Sequence, residues 1–497
     1  MFPVLSFVLA TLVVGTLLTF LAGRQARWVA LLTSLAFLGE VGYLLSSYVW
    51  PAPSGVFGPQ FADYQSASWI SLPWLQINYT VGVDGISLVL VFLTAILQIA
   101  TVLYSWNEEK KPAAWFGLVL LTCLGSFGVF IALDVLLFFL FWEAVLVPMF
   151  FMIGYWGGVR RRYAALKFFI YTHVASVVML VSLFALAFYS HATSFDFNAL
   201  YAAANARDPV TKALILPATT QVFLFLGLFF GFGVKFPIVP FHTWLPDAHV
   251  EAPTGGSVLL AGLLLKLGGY GLIRWAVEVL PNGMSHVLPL LYFVAFLSIV
   301  WGSILALSQR DLKRLVAYSS INHMGIVLLA IAIYSSVGLL AAVLLMFAHG
   351  IVSGLMFMVS GSVHHTFGSR DISRIGGITP RTPVLSTLTM VGSLASLGLP
   401  ALISFPAEFT GLLATWERIG YWVLIPLIVL VVTAAFYIWM MQRFLFGPTR
   451  GVPDEAHDIP WYEGAGMGVL AALTVLYGIV PFLLVNVIVN SPVSGLP

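Results

Sequence analysis

Charge is what this 497-residue chain has least of: 8% of its residues are Asp, Glu, Lys or Arg, while 60% are apolar. Soluble domains carry about 25% charged residues, so a body folded in water is excluded. Cysteine is nearly absent as well. A lone Cys123 rules out a disulfide framework and any cysteine-ligated cluster or zinc site. The formal net charge of +2 gives no case for a nucleic-acid surface. There is no P-loop, no GxGxxG after a strand and no HExxH. His242, His249, His364 and His365 resemble metal or haem ligands in type only, because they lie near helix ends or in connections.

What remains is apolar sequence in long runs. A mean hydropathy of +1.00 across the whole length means many buried segments rather than one anchor. A membrane crossing needs about 20 apolar residues. Runs bounded by charge, Pro or Gly predict helices near 3–22, 28–50, 84–104, 113–133, 135–153, 164–190 and 219–240. They continue near 254–280, 287–308, 314–334, 339–362, 382–403 (running on to about 416), 421–446 and 463–490. That makes fourteen crossings of an all-α integral membrane protein, since lipid leaves unpaired backbone groups no partner. No soluble domain interrupts the series. The first run lacks a basic n-region and an A-x-A-like site, which predicts a retained first helix. The longest connections, 51–83 and 191–218, are rich in Pro, Ser, Ala and aromatics.

Basic residues orient the bundle. Numbered from the N-terminus, the odd connections and their flanking helix ends hold fifteen of the 22 Lys and Arg residues, among them Lys110, Lys111, Arg160–Arg162, Arg310, Lys313 and Arg370. The even connections hold four: Arg207, Lys212, Arg274 and Arg418. The odd connections are therefore expected on the cytoplasmic side of a cell inner membrane, with both termini on the opposite side.

Three basic residues are left inside helices: Lys167, Lys235 and Lys266. Glu40, Glu143, Glu408, His173, His323 and His349 join them in the apolar runs. A charge at mid-bilayer costs roughly 2.5–3.5 kcal/mol, so such groups usually face one another or internal water. Glu143 sits mid-helix in DVLLFFLFWEAVLVPMFF, too far from either end to snorkel. Its bland alternative is a protonated acid tying two helices together. Lys235 lies among Gly231, Gly233, Pro237 and Pro240, a composition that predicts a broken helix lining a cavity. Capping of the broken end is the plainer role for that lysine.

Lys266 occupies mid-helix in LLAGLLLKLGGYG, and Glu408 lies beyond Pro400 and Pro406 in a second predicted break. Two Pro-interrupted segments in corresponding places point to a repeat-built transporter. His323 and His349 are read either as relay groups or as hydrogen-bonded core histidines. Lys167 follows three arginines and could simply snorkel; Glu40 and His173 read as structural. Glu, Lys and His all exchange protons, and a Glu143–Lys235 pair would hold or release one as its geometry changed.

The stretches VGVDGISLVLVFLT (81–94), FWEAVLVPMF (141–150), ALKFFIYT (165–172) and RDLKRLVAYSSINHMG (310–325) carry a resemblance. So, above all, does VKFPIVPFHTWLPDAHVEAPTGGSVLLAGLLLKLGGYG (234–271). The sequence resembles the antiporter-like, proton-pumping subunits of respiratory complex I, of the M type. The resemblance implies two inverted five-helix repeats, each with a broken helix. Their bounds would be helices 1–3 at 1–112, a first repeat at 113–280, a second at 281–446 and a last helix at 447–497.

The resemblance also implies roles. Glu143 would pair with Lys235, Lys266 would be the central lysine, and His323 and His349 would relay protons toward an exit at Glu408. The chain would couple quinone reduction to proton pumping without any redox centre, cofactor or metal of its own. Flavin, iron–sulfur clusters and quinone would belong to partner subunits, and its neighbours would be L-type and N-type chains. Subunits of cation/proton antiporters and of ion-pumping hydrogenases or related dehydrogenases are similar alternatives. One stretch departs from the family pattern. GLPALISFPAEF (398–409) places Ala401, Ile403 and Ala407 where the family has small or flexible residues, and Pro406 on the approach to Glu408.

Overall fold

The computed structural model describes residues 3–47, 61–72 and 75–489. The first helices are α1 (Val4–Leu21), α2 (Ala26–Ser47), α3 (Gly85–Tyr104), α4 (Pro112–Ile131), α5 (Val135–Ala144) and α6 (Leu146–Trp156). Next come α7 (Arg161–Tyr189), α8 (Phe197–Ala204), α9 (Ala218–Lys235), α10 (Trp244–Glu251), α11 (Thr254–Leu259), α12 (Leu265–Gly271) and α13 (Pro281–Leu307). The chain continues through α14 (Leu312–Ala332), α15 (Ser336–Phe367), α16 (Pro383–Ser396), α17 (Ser404–Ile419), α18 (Leu424–Phe444), α19 (Trp461–Ile479) and α20 (Phe482–Val489). Among the described residues, thirteen helical segments are long and apolar enough to cross a membrane, and the shorter apolar α16 adds to them.

The all-α membrane fold is as expected, with one small addition outside the helices. The connection after α2 contains a hairpin of β1 (Ala62–Leu72) and β2 (Leu75–Val83), antiparallel with Ala67 opposite Tyr79. A search for long apolar runs passes over it, because its alternating sequence shows only as a period of two. The hairpin is tied down where the helices end. Asn78 and Thr80 donate to the Asp196 carboxylate at 2.7 and 2.5 Å, and the Leu133 amide donates to the Thr80 carbonyl.

Burial sorts the helices into an axis and a rim. The segment 254–277 is completely buried, and α14 and α15 are 94% buried, whereas α1 and α2 are only one-third covered. Glycines permit the tightest crossing. A Cβ on Gly302 of α13 would lie 2.6 Å from the Asn322 amide of α14, and one on Gly325 2.8 Å from the Ile299 amide. Small residues at crossings are how helices approach closely in lipid, where apolar burial alone gives no preference for protein contact.

Helix ends follow local chemistry. Asp84 caps α3 in a capping box with Ser87, Asp134 accepts from the Leu136 and Leu137 amides at the start of α5, and Asp311 accepts from the Arg314 amide of α14.

Both predicted breaks are present, and they differ. α9 ends at Lys235, and a turn through Phe236–Thr243 leads into α10. The second break separates α16 from α17 at 397–403, so Glu408 sits in the first turns of the second half-helix. The lysine thus terminates its first half-helix, while the glutamate begins its second.

Candidate functional site

The irregular backbone converges on the buried axis. Between α11 and α12, residues Leu260–Leu264 form a π-helical turn, and Leu272–Val277 form another beyond α12. Such widened turns occur chiefly where a helix does something besides pack. Lys266 lies between them, fully buried. Its Nζ donates to the Ala261 carbonyl at 2.6 Å and meets His349 Nδ1 of α15 at 2.7 Å.

From that contact a row of polar groups runs across the bundle. The rings of His349 and His323 are 5.5 Å apart, and His323 Nε2 lies 3.5 Å from Glu408 Oε1. All three residues are at most 5% exposed. Between the two imidazoles lies a cavity of about 20 Å³, walled in part by Ser319, Ser353, Ser396 and Tyr437. About 10–15 Å³ suffices for one water if two or more polar partners surround it. The structure therefore joins four of the six sequence-derived site residues, Lys266, His349, His323 and Glu408, into one row.

The other two are arranged differently from the expected pair. Glu143 Oε2 contacts His173 Nδ1 of α7 at 2.8 Å, and its Oε1 is buried without a partner. Lys235 Nζ donates to the Trp142 carbonyl at 3.1 Å and sits 3.6 Å above that indole ring. Among the described residues no ion pair joins Glu143 to Lys235. The indole competes well for an ammonium in a dry site, where cation–π attraction is worth about 2 kcal/mol. Trp142 is itself fixed to α7 by its Nε1 donating to Ser176 Oγ at 2.9 Å. Lys167, which could have snorkelled, instead donates to Asp247 at 2.7 Å, and Glu40 accepts from Thr11 at 2.7 Å.

Sequence reasoning missed a chamber of about 650 Å³ at the end of the bundle formed by the odd connections. Glu108, Glu251, Lys313, His365, Arg370 and Glu463 contribute its ionisable lining. Glu463 pairs with His365 at 2.9 Å and accepts from Ser362. Lys313 donates to the Ala252 carbonyl. One residue before the chamber wall at Val250, His249 is fully buried, stacked on Phe357 with both ring nitrogens unpartnered. The positive-charge count places Lys313 among loop residues, and nothing in a linear sequence brings 108, 251 and 463 together.

At the opposite end, Arg274 is fully buried and paired with both Asp84 and Glu278. This triad pins the start of α3 to the end of the widened helix. Among the described residues no cluster of three or more His, Cys, Asp or Glu has the geometry to hold a metal ion.

A broken-helix membrane bundle with a buried lysine–histidine–glutamate row defines a multi-pass protein of the ion-translocating kind. The chain belongs to the family described as NADH:quinone oxidoreductase/Mrp antiporter, TM, whose profile matches residues 132–436. It is 39% identical to the F(420)H(2) dehydrogenase subunit M of Methanosarcina mazei, over 99% of this chain and 97% of that one. It is 38% identical to the NADH-quinone oxidoreductase subunit M of Rhodobacter capsulatus, over 94% of this chain and 90% of that one. Its fold superposes on a chain of respiratory complex I from Thermus thermophilus with a TM-score of 0.84 and 26% identity, over 99% of this chain and all of the other.

Proposed function

We propose that this chain is a proton-translocating, non-redox subunit in the membrane arm of an NADH:quinone oxidoreductase of the complex I type. The observation that carries the reading is the row Lys266–His349–His323–Glu408, in contact at both ends and hydratable in the middle. An acid, a base and two imidazoles give alternating proton donors and acceptors across the membrane plane. Lys235 loads a proton under the influence of Glu143, Lys266 and the two histidines pass it on, and Glu408 releases it. The chamber lined by Glu108, Glu251 and Glu463 is suited to gather protons from the cytoplasmic side.

The same reading places the odd connections in the cytoplasm of a bacterial-type cell and both termini outside. It treats 113–280 and 281–446 as inverted repeats, flanked by 1–112 and 447–497. Flavin, iron–sulfur clusters and quinone then reside in other subunits, and L-type and N-type chains flank this one. Near-equal identity to an F(420)H(2) dehydrogenase subunit and to NADH-linked subunits supports a role that does not depend on the electron donor.

The test is a gentle extraction of the tagged complex, identification of what co-purifies, and reconstitution in vesicles. A flavin and iron–sulfur arm that reduces quinone while the vesicles acidify is the expected result. Lys266→Met should then abolish most of the proton movement attributable to this subunit. Sodium-dependent exchange by a complex lacking redox centres would overturn the reading in favour of a cation/proton antiporter.

A further inference from the structure

The pairing of Glu143 with His173 points beyond the pathway itself. Glu143 stands on the last turn of α5, two residues before Val145, where α5 gives way to α6. Trp142, its neighbour in sequence, holds the Lys235 ammonium by carbonyl and ring. The same helical turn therefore presents a carboxylate and a cation receptor side by side. The carboxylate is turned to the bundle's outer face, where the His173 side chain is 45% exposed and stacked on Phe169. Its second oxygen, Oε1, is buried and unpartnered, a demanding state for an acceptor in an apolar bundle.

We propose that His173 is a positioning residue that competes with Lys235 for the Glu143 carboxylate. This rests on the pumping function proposed above. When His173 is protonated, its imidazolium and Glu143 form an ion pair, and Lys235 is left with a carbonyl and an indole. When His173 is neutral the pair weakens to an ordinary hydrogen bond, and Glu143 is released to accompany Lys235. The proton itself travels from Lys235 Nζ toward Lys266; His173 changes only which cation the carboxylate faces.

Few other charges act on this imidazole. On α9 there is Lys235. On α10 Asp247 is engaged by Lys167, with Arg160 3.8 Å away. On its own helix stand Arg161, Arg162, Tyr163, Lys167 and Tyr171, and His242 lies in the turn before α10. α6 brings only Tyr155, while Asp196 at the start of α8 is occupied by Asn78 and Thr80. Among the described residues, the single acid in contact with His173 is Glu143.

The experiment measures protons moved per quinone reduced in vesicles of the assembled complex, between about pH 5.5 and 8, where imidazole titrates. Wild type should show an inflection in this ratio. His173→Gln keeps a hydrogen-bond donor for Glu143 but cannot titrate, and should flatten the inflection; His173→Leu should do the same. Combining His173→Leu with Glu143→Gln should give no loss beyond that of Glu143→Gln alone, because both act through one carboxylate. A pumping wild type whose inflection survives in the Gln variant overturns the role of His173 alone. Wild-type vesicles that reduce quinone without acidifying overturn the pumping function and this role with it.

Discussion

A backbone torsion at Ala401 shows what the departures around Glu408 mean. Ala401 adopts φ 71°, in the left-handed region, three residues after Gly398 at φ 76°. For a residue with a Cβ that region costs roughly 1–2 kcal/mol. Gly398 cannot be exchanged cheaply either, because its φ of 76° strains any residue with a Cβ, which would also displace the Glu408 carboxylate. The turn is thus built for glycine at both positions and has it at one. Ala401→Gly should relieve the strain and raise the half-inactivation temperature of the assembled complex by about 1–2 °C, partly offset by the glycine's freedom when unfolded. A fall in that temperature would mean that the alanine methyl packs usefully. Across the turn, the Ala401 carbonyl and Leu402 press against Gly478 of α19, which leaves no room for a side chain there.

The site residues were legible to unequal degrees. Lys235, Lys266 and Glu408 stand out because an ionisable group in an apolar run has few reasons to be there. His173 did not stand out, since an imidazole near a helix surface is ordinary until its neighbour is known. The direct contact expected between Glu143 and Lys235 is absent for a related reason. Sequence identifies two opposite charges but not the indole at 142 that holds the lysine 3.6 Å from its ring.

Among elements, the helices were readable and their connections were not. Every crossing expected from hydropathy has its helix, because lipid forces the backbone to satisfy itself within each segment. The hairpin of β1 and β2 escaped because its side chains alternate and its polar anchors, Asp134 and Asp196, lie far away in sequence. The two π-helical turns escaped as well: LLAGLLLKLGG reads as a good α-helix, and only the surrounding packing widens it.

The cap of α5 carries a pH signature of its own. Burial pushes the Asp134 carboxyl up to about 6, with the nearby Asp196 adding to the effect while the amides of Asn78, Leu137 and Leu136 oppose it. The folded protein therefore binds this proton more tightly than the unfolded chain does. Its contribution to stability is greatest when Asp134 is protonated and declines as pH rises from about 4 through 6. Asp134→Asn retains an oxygen for the helix amides without a titrating charge. Thermal inactivation of that variant should vary less than wild type between pH 4.5 and 7; an identical pH dependence would assign the effect to other groups.

For the whole molecule, the large chamber lies at the end where the basic residues concentrate, and the proposed polarity rests on that distribution. The chamber walls come from connections 105–108, 157–159, 250–255, 364–370 and 462–463, all at the arginine- and lysine-rich end. Labelling from either side of the membrane tests the matching orientation. The native Cys123 is buried, so exposed sites such as Thr449 and Thr211 can carry single new thiols. An impermeant maleimide should reach Thr449→Cys in inverted vesicles and Thr211→Cys in right-side-out ones. The reverse pattern would invert the assignment of intake and exit.

The 20 Å³ cavity between His323 and His349 bears on what the molecule must prevent. A membrane at 100 mV drives each unit charge downhill by about 2.3 kcal/mol, and an uninterrupted file of water through the bundle would conduct it at no profit to the cell. Space for a single solvent molecule, beside two imidazoles, would leave the proposed proton path one narrow contact. Leakage and useful current then depend on the same few ångströms, so a substitution that merely enlarges this constriction would harm the cell more than one that closes it.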